Sequence, residues 1–203
     1  TNFMKKLMLL CSILVLTSSS FAQGLSGGIK AGLNLADQKY SFGGTSLDTK
    51  AKAGLHVGGY VTWMFTEKLG LQPEVLFSMQ GATFDNDFID GKTMFNYLNV
   101  PVLVRYNITE MFSLHAGPQV GFLLSAEAEE SGGDSQDIKD EFKGTDIAGA
   151  FGLGVDLPMG LGFGARYIIG FSQIAEDDPD FQDTEVKNSA IQIYACYKLF
   201  GKK

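Results

Sequence analysis

From Gly24 onward the chain alternates between stretches in which apolar residues recur at every second position and polar runs rich in Asp, Glu, Gly and Ser. Eight period-two segments stand out, at about residues 25–36, 53–65, 69–84, 93–107, 112–126, 146–156, 160–174 and 188–200. In the fourth, Leu98, Val100, Val102, Val104 and Tyr106 share one face, while Tyr97, Asn99, Pro101, Leu103 and Arg105 share the other. In the fifth, Phe112, Leu114, Ala116, Pro118, Val120, Phe122 and Leu124 oppose Ser113, His115, Gly117, Gln119, Gly121 and Ser125. The seventh sets Leu161, Phe163, Ala165, Tyr167, Ile169 and Phe171 against Gly162, Gly164, Arg166, Gly170 and Ser172. Side chains on a strand point alternately to opposite faces, so the pattern predicts strands with one apolar and one polar or small face. Each segment can cross a bilayer as a tilted strand, which takes about 9–11 residues.

Such faces also suit a soluble barrel or sandwich with its apolar side inward. Three features favour the inverted arrangement. The polar face carries Gly, Ala, Ser, Gln and charged residues, which suits a narrow lumen better than open solvent. Large apolar residues occupy the other face in every segment, including those that would be sandwich edges. The connections also alternate in length. Three are tight (Thr66-Glu67-Lys68, Ile108 to Met111, Leu157-Pro158-Met159) and four are long (about 37–52, 85–92, 127–145 and 175–187). Outer-membrane barrels have short periplasmic turns and longer extracellular loops. The sequence therefore predicts an all-β fold, an eight-stranded antiparallel up-and-down transmembrane β-barrel with both termini in the periplasm. Trp63, Phe65, Tyr106, Phe112, Phe163 and Tyr197 then fall outward near the periplasmic ends, as an aromatic girdle.

The start of the chain reads as a signal peptide. Lys5 and Lys6 precede an apolar stretch, Leu7 to Leu16, and Ser20-Phe21-Ala22 is a small-x-small cleavage site. Met4 reads as the initiator, residues 1–22 as the signal and residues 23–203 as the barrel domain. Lipidation at Cys11 does not fit, because Leu9 and Leu10 stand where a small residue is needed. Cleavage removes Cys11 and leaves Cys196 alone, so no internal disulfide can form. The whole chain has 16 basic and 23 acidic residues; without Lys5 and Lys6 the net charge moves from −7 to −9. That balance argues against nucleic-acid binding, which wants a basic face.

Several stretches together resemble one family. Gly28-Ile29-Lys30-Ala31-Gly32-Leu33-Asn34 opens the barrel, followed by Gly54-Leu55-His56-Val57-Gly58-Gly59 and Leu71-Gln72-Pro73-Glu74-Val75-Leu76-Phe77-Ser78-Met79-Gln80-Gly81. Tyr97-Leu98-Asn99-Val100-Pro101, Val104-Arg105-Tyr106, Ala116-Gly117-Pro118, Gly152-Leu153-Gly154-Val155 and Ala165-Arg166-Tyr167 come next, with Tyr194-Ala195-Cys196-Tyr197-Lys198-Leu199-Phe200 at the end. In order and spacing they resemble the PorT-like outer-membrane β-barrel proteins of Bacteroidota, over essentially the whole mature chain. The resemblance implies an outer-membrane barrel and assigns no task.

The polar face collects Lys30, Asn34, Gln72, Glu74, Gln80, Arg105, His115, Gln119, Arg166, Gln192 and Lys198. An eight-stranded barrel has an interior just wide enough for side chains, so these residues are expected to pair and fill it. Lys30, Glu74, Arg105, Arg166 and Lys198 form the expected structural charge network. Glu74 stands near the height of Arg166 and Lys30 when residues are counted from the tight turns; Arg105 and Lys198 lie lower. His56 and His115 sit on different strands without metal-ligand spacing. No nucleophile–base pairing, phosphate loop or catalytic carboxylate pair is apparent, so no catalytic, cofactor or metal site is assigned. Nineteen of the 23 acids fall in the long loops, among them Glu127 to Asp146 and Glu176 to Glu185. Carboxylates there can recruit divalent cations that bridge to lipopolysaccharide.

The sequence thus points to a non-enzymatic outer-membrane protein with a structural, adhesive or accessory-complex role, acting through acidic extracellular loops. The alternative is a narrow or gated pore. The partners implied are outer-membrane lipid and lipopolysaccharide, the barrel-insertion machinery during assembly, and an envelope protein complex. Mass spectrometry of the protein recovered from the outer-membrane fraction should find Gln23 at the N-terminus; an N-terminus at Met4, or recovery from the cytosol, contradicts the signal-peptide reading.

Overall fold

The computed structural model describes residues 24–42, 45–47, 50–85, 90–130, 135–175 and 184–201. The expected signal peptide lies outside them, as do Asp48, Asp87, Asp134 and residues 176–183 of the acidic loops. Eight long strands make the wall: β1 (Leu25–Phe42), β2 (Lys50–Met64), β3 (Leu69–Gln80), β4 (Asp90–Asn107), β5 (Phe112–Glu130), β6 (Thr145–Asp156), β7 (Leu161–Gly170) and β8 (Thr184–Phe200). Every strand pairs antiparallel with its sequence neighbours. β1 also pairs with β8, from Gly27↔Phe200 to Phe42↔Thr184, and that seam closes the barrel. Closure leaves the wall no edge strand.

The apolar face points outward. Ile29 and Leu33 on β1, Trp63 on β2, Val75 on β3, Phe151 on β6, Phe163 on β7 and Ile193 on β8 are all exposed. The opposite parity is buried, including Lys30, Asn34, Gln72, Glu74, His115, Arg166 and Gln192. A folded chain in water does not expose a continuous apolar belt while burying charge. The six expected girdle aromatics all lie on the exposed face, with Trp63 packed edge-on against Phe65 at 4.8 Å.

Local chemistry fixes the turns. In the β2–β3 turn Thr66 Oγ1 accepts from the amides of Lys68 (3.2 Å) and Leu69 (2.9 Å). In the β4–β5 turn Thr109 Oγ1 does the same for Met111 (3.2 Å) and Phe112 (3.0 Å). A Thr-Glu pair at the start of each turn thus supplies the same side-chain cap. The β6–β7 turn instead uses Gly160 at φ 83°, a left-handed conformation open to glycine.

At the other end the strands run past the expected boundaries. β4 and β5, at 18 and 19 residues, outreach what a bilayer requires and extend into the segments read as loops. The short strands Ala82–Asp85 and Ser135–Asp137 pair onto these extensions, and Thr45–Leu47 pairs with the end of β1. A bulge corrects one expected facing. Asn96 pairs with Ser125 and Tyr97 with Leu123, so Leu124 is the extra residue. Ser125, expected inward, therefore stands outward with Asn96, whose Nδ2 donates to its Oγ at 2.9 Å, while Leu123 turns into the lumen.

Removal of residues 188–203 opens the seam and leaves β1 and β7 with unpaired backbone, at several kcal/mol for each group in lipid. The truncated chain should fail to insert, and a compact heat-modifiable band on a gel would contradict the strand assignment.

Candidate functional site

Glycine on the inner wall makes room for the polar side chains of the lumen. A Cβ on Gly164 would fall on the ring of Tyr194, and one on Gly32 would lie 2.7 Å from His56 Cε1. Small residues on some strands therefore let long side chains from others reach across.

Glu74 on β3 is the hub. Its Oε1 accepts from Lys30 Nζ of β1 at 2.6 Å, Arg166 Nη2 of β7 at 2.8 Å and Gln72 Nε2 at 2.7 Å; its Oε2 accepts from Arg166 Nη1 at 3.0 Å. β3 and β7 are four strands apart in either direction around a ring of eight, so the bidentate Arg166–Glu74 pair spans the diameter. The side chains of Glu74, Arg166 and Lys30 are 0%, 1% and 2% exposed. Lys30 Nζ also sits 4.1 Å from the ring centre of Tyr194, a second stabilising contact for a buried ammonium.

Toward the tight turns Gln72 extends the cluster. Its Oε1 accepts from Thr62 Oγ1 at 2.9 Å and Arg105 Nη1 at 3.1 Å, and Arg105 also pairs with Asp156 and donates to Asn107 Oδ1 at 3.0 Å. Lys30, Glu74, Arg105 and Arg166 are thus joined through Gln72. Lys198 stands across from Gly28 at the turn end, half-buried. The connecting role of Gln72 is visible only in three dimensions, since an uncharged amide gives no signal for it in sequence.

Toward the long loops a second polar layer follows. Asn34 Nδ2 donates to Ser78 Oγ at 2.9 Å and to Met79 O at 2.8 Å, which leaves its Oδ1 to accept from His56 Nδ1 (2.7 Å) and Gln192 Nε2 (3.0 Å). Above it, Asn188 Nδ2 donates to Asp146 Oδ2 at 2.9 Å and to Tyr97 Oη at 3.3 Å, again between opposite strands, β8 and β4. Asp146 corrects the assignment of acids to the loops. It is buried, and Ser172 Oγ holds its Oδ1 at 2.9 Å. The parity of Ala148, Ala150, Gly152 and Gly154 on β6 already carries it inward. The loop end is then roofed. Phe142 stacks edge-on against buried Phe95 at 4.8 Å, and Ile138 packs on the same cluster with Tyr97, Leu123 and Ala126. Among the described residues no group of three or more His, Cys, Asp or Glu converges on a metal site.

The sequence model of the outer membrane protein beta-barrel domain matches residues 20–176. The chain belongs to that family. It is an outer-membrane barrel protein, and its apolar belt faces lipid. Ail, the attachment invasion locus protein of Yersinia pestis, shares the fold at 21% identity, with a TM-score of 0.51 over 87% of this chain and 99% of Ail. Neisserial surface protein A does so at 12% identity and a TM-score of 0.51, over 87% of this chain and 100% of its own. At these identities the likeness is one of fold. No curated protein matches the chain.

Removing Glu74 leaves two cations in the lumen without a carboxylate. Glu74→Ala should destabilise the barrel by about 3–5 kcal/mol, whereas Glu110→Ala in an exposed turn should stay within about 0.5 kcal/mol. Glu74→Gln combined with Arg166→Gln should recover part of the loss. Thermal unfolding in detergent checks this, and equal small effects at Glu74 and Glu110 would contradict the enclosed geometry.

Proposed function

We propose that this is a non-enzymatic barrel whose lumen is closed to solutes and whose work is done at the loop-end surface, as a structural, adhesive or accessory-complex protein. The observation that carries the reading is the Arg166–Glu74–Lys30 cluster, bonded from wall to wall across the diameter. The polar layer above it and the Phe95–Phe142 roof support the same conclusion.

In this reading the tight turns and both termini face the periplasm, and the strand extensions stand outside the cell. The loop-length asymmetry and the overlong β4 and β5 support that orientation. The extensions carry Glu127, Glu129, Asp137, Asp140 and Glu141, with Lys92 pairing Glu129 at 2.9 Å. Carboxylates at that height favour divalent cations shared with lipopolysaccharide. The motif order that resembles PorT-like proteins supports membership among envelope proteins of that type.

Planar-bilayer recording with the purified barrel separates this reading from the narrow or gated pore. No unitary current is expected at moderate voltage; reproducible steps, enlarged by Glu74→Ala, would establish the pore instead.

A further inference from the structure

Proline has no N–H to give a sheet, and in strands it is confined largely to edges and bulges. A closed wall has no edge. Yet Pro73 on β3, Pro101 on β4 and Pro118 on β5 all lie inside paired strands, and the ladders break beside them. Between β2 and β3 the pairing stops at Tyr60↔Glu74 and resumes at Trp63↔Leu71. Between β3 and β4 it stops at Pro73↔Val102 and resumes at Leu76↔Asn99; between β4 and β5 it stops at Pro101↔Gln119 and resumes at Val104↔Ala116. The registers on either side set Val61 opposite Pro73, Glu74 opposite Pro101 and Val102 opposite Pro118, so each gap falls where a ring nitrogen has no hydrogen to donate. Val61, Pro73, Val102 and Pro118 thus form one row across four strands, with Glu74 and Pro101 in the next. The other ladders run without such a gap, and the β1–β8 seam is continuous from Gly28↔Lys198 to Phe42↔Thr184.

Side chains cross the first two gaps. Thr62 and Gln72 are opposite residues that the β2–β3 ladder leaves out, and Thr62 Oγ1 donates to Gln72 Oε1 at 2.9 Å. Arg105 Nη1 of β4 donates to the same oxygen at 3.1 Å. Gln72 Nε2 in turn holds Glu74 Oε1, which Lys30 of β1 and Arg166 of β7 grip from the continuous side of the barrel. At the β4–β5 gap the inward residues are Leu103 and Gly117, which have no polar side chain to offer.

We infer that β2 to β5 form a yielding panel in an otherwise continuous wall, latched by Gln72 and the Glu74 carboxylate, and that the barrel opens locally there rather than at the β1–β8 seam. Regions with fewer backbone bonds open at lower free energy. A missing bond in lipid is costly, and grouping the gaps in adjacent rows lets one side-chain cluster brace them. Gln72 therefore acts as the latch between strands whose backbones do not hold each other. The inference concerns the wall alone and does not depend on what the loops do.

The test is amide hydrogen exchange of the intact barrel in lipid nanodiscs, resolved by residue. Amides of Val61, Val75, Val100, Leu103 and Gly117 should exchange about tenfold faster or more than those of Ile29, Ala31, Ile193 and Ala195, which lie a similar number of residues from the turn end of the seam. Pro118→Val supplies the missing donor on the lipid face and should slow exchange at Leu103 and Gly117 by about tenfold. Gln72→Leu removes the latch without removing a charge and should speed exchange across the panel by about tenfold while leaving the seam unchanged. The comparison within the unaltered protein stands even where a variant fails to fold. Equal exchange in panel and seam, seam amides that exchange first, no slowing in Pro118→Val, or a Gln72→Leu effect spread evenly over the wall would each overturn the inference.

Discussion

A backbone amide in hydrocarbon has no water to bond, and each one left unpaired costs several kcal/mol. The β1–β8 seam answers that constraint for the whole molecule. It joins the first strand of the barrel to the last, so nothing inserted in the membrane is satisfied until the full sheet has been made. Closure also creates the lumen. Once the wall is continuous, residues of one parity are enclosed wherever they fall, and the chain must supply each polar group among them with a partner.

The Glu74 cluster shows how this is done. A carboxylate with four donated hydrogen bonds from three strands has its lone pairs occupied, and Arg166 is used in the bidentate geometry that suits a guanidinium. The same bonds tie opposite walls together, where a soluble barrel would use apolar packing. Among the described residues, buried apolar side chains cluster in a small group of Ala36, Leu103, Ala148, Ala150, Ile168 and Ala190 and in the roof around Phe95. Rigidity therefore comes from one set of polar contacts that crosses the lumen.

The strands were legible because lipid outside and a polar lumen inside impose a strict period of two. The parity that exposes Phe163 and Tyr167 and buries Arg166 is written in the order of residues. Where the reading failed, a local feature had broken the period or run past its expected end. The bulge at Leu124 turned Ser125 outward, an event that apolar alternation cannot register when the inserted residue is itself apolar. The strand extensions of β4 and β5 are polar on both faces, so they read as loop although they pair as ribbon. Asp146 was assigned to an acidic loop by composition when its parity placed it inside.

The sequence by itself determined the class of fold, the number of wall strands and, outside the bulge at Leu124, which side chains face inward, because each of these follows from alternation and spacing along the chain. It also brought Glu74 near the height of Lys30 and Arg166, since height is a count from the turns. Tertiary structure alone decided who bonds to whom. The register between strands and the ring order set Arg166 opposite Glu74, made Gln72 the link to Arg105, brought Phe142 over Phe95 and placed His115 by the same small space as Lys30 and Arg105. Those outcomes depend on distances across the barrel, and a linear chain carries no measure of a distance that exists only after the last strand meets the first.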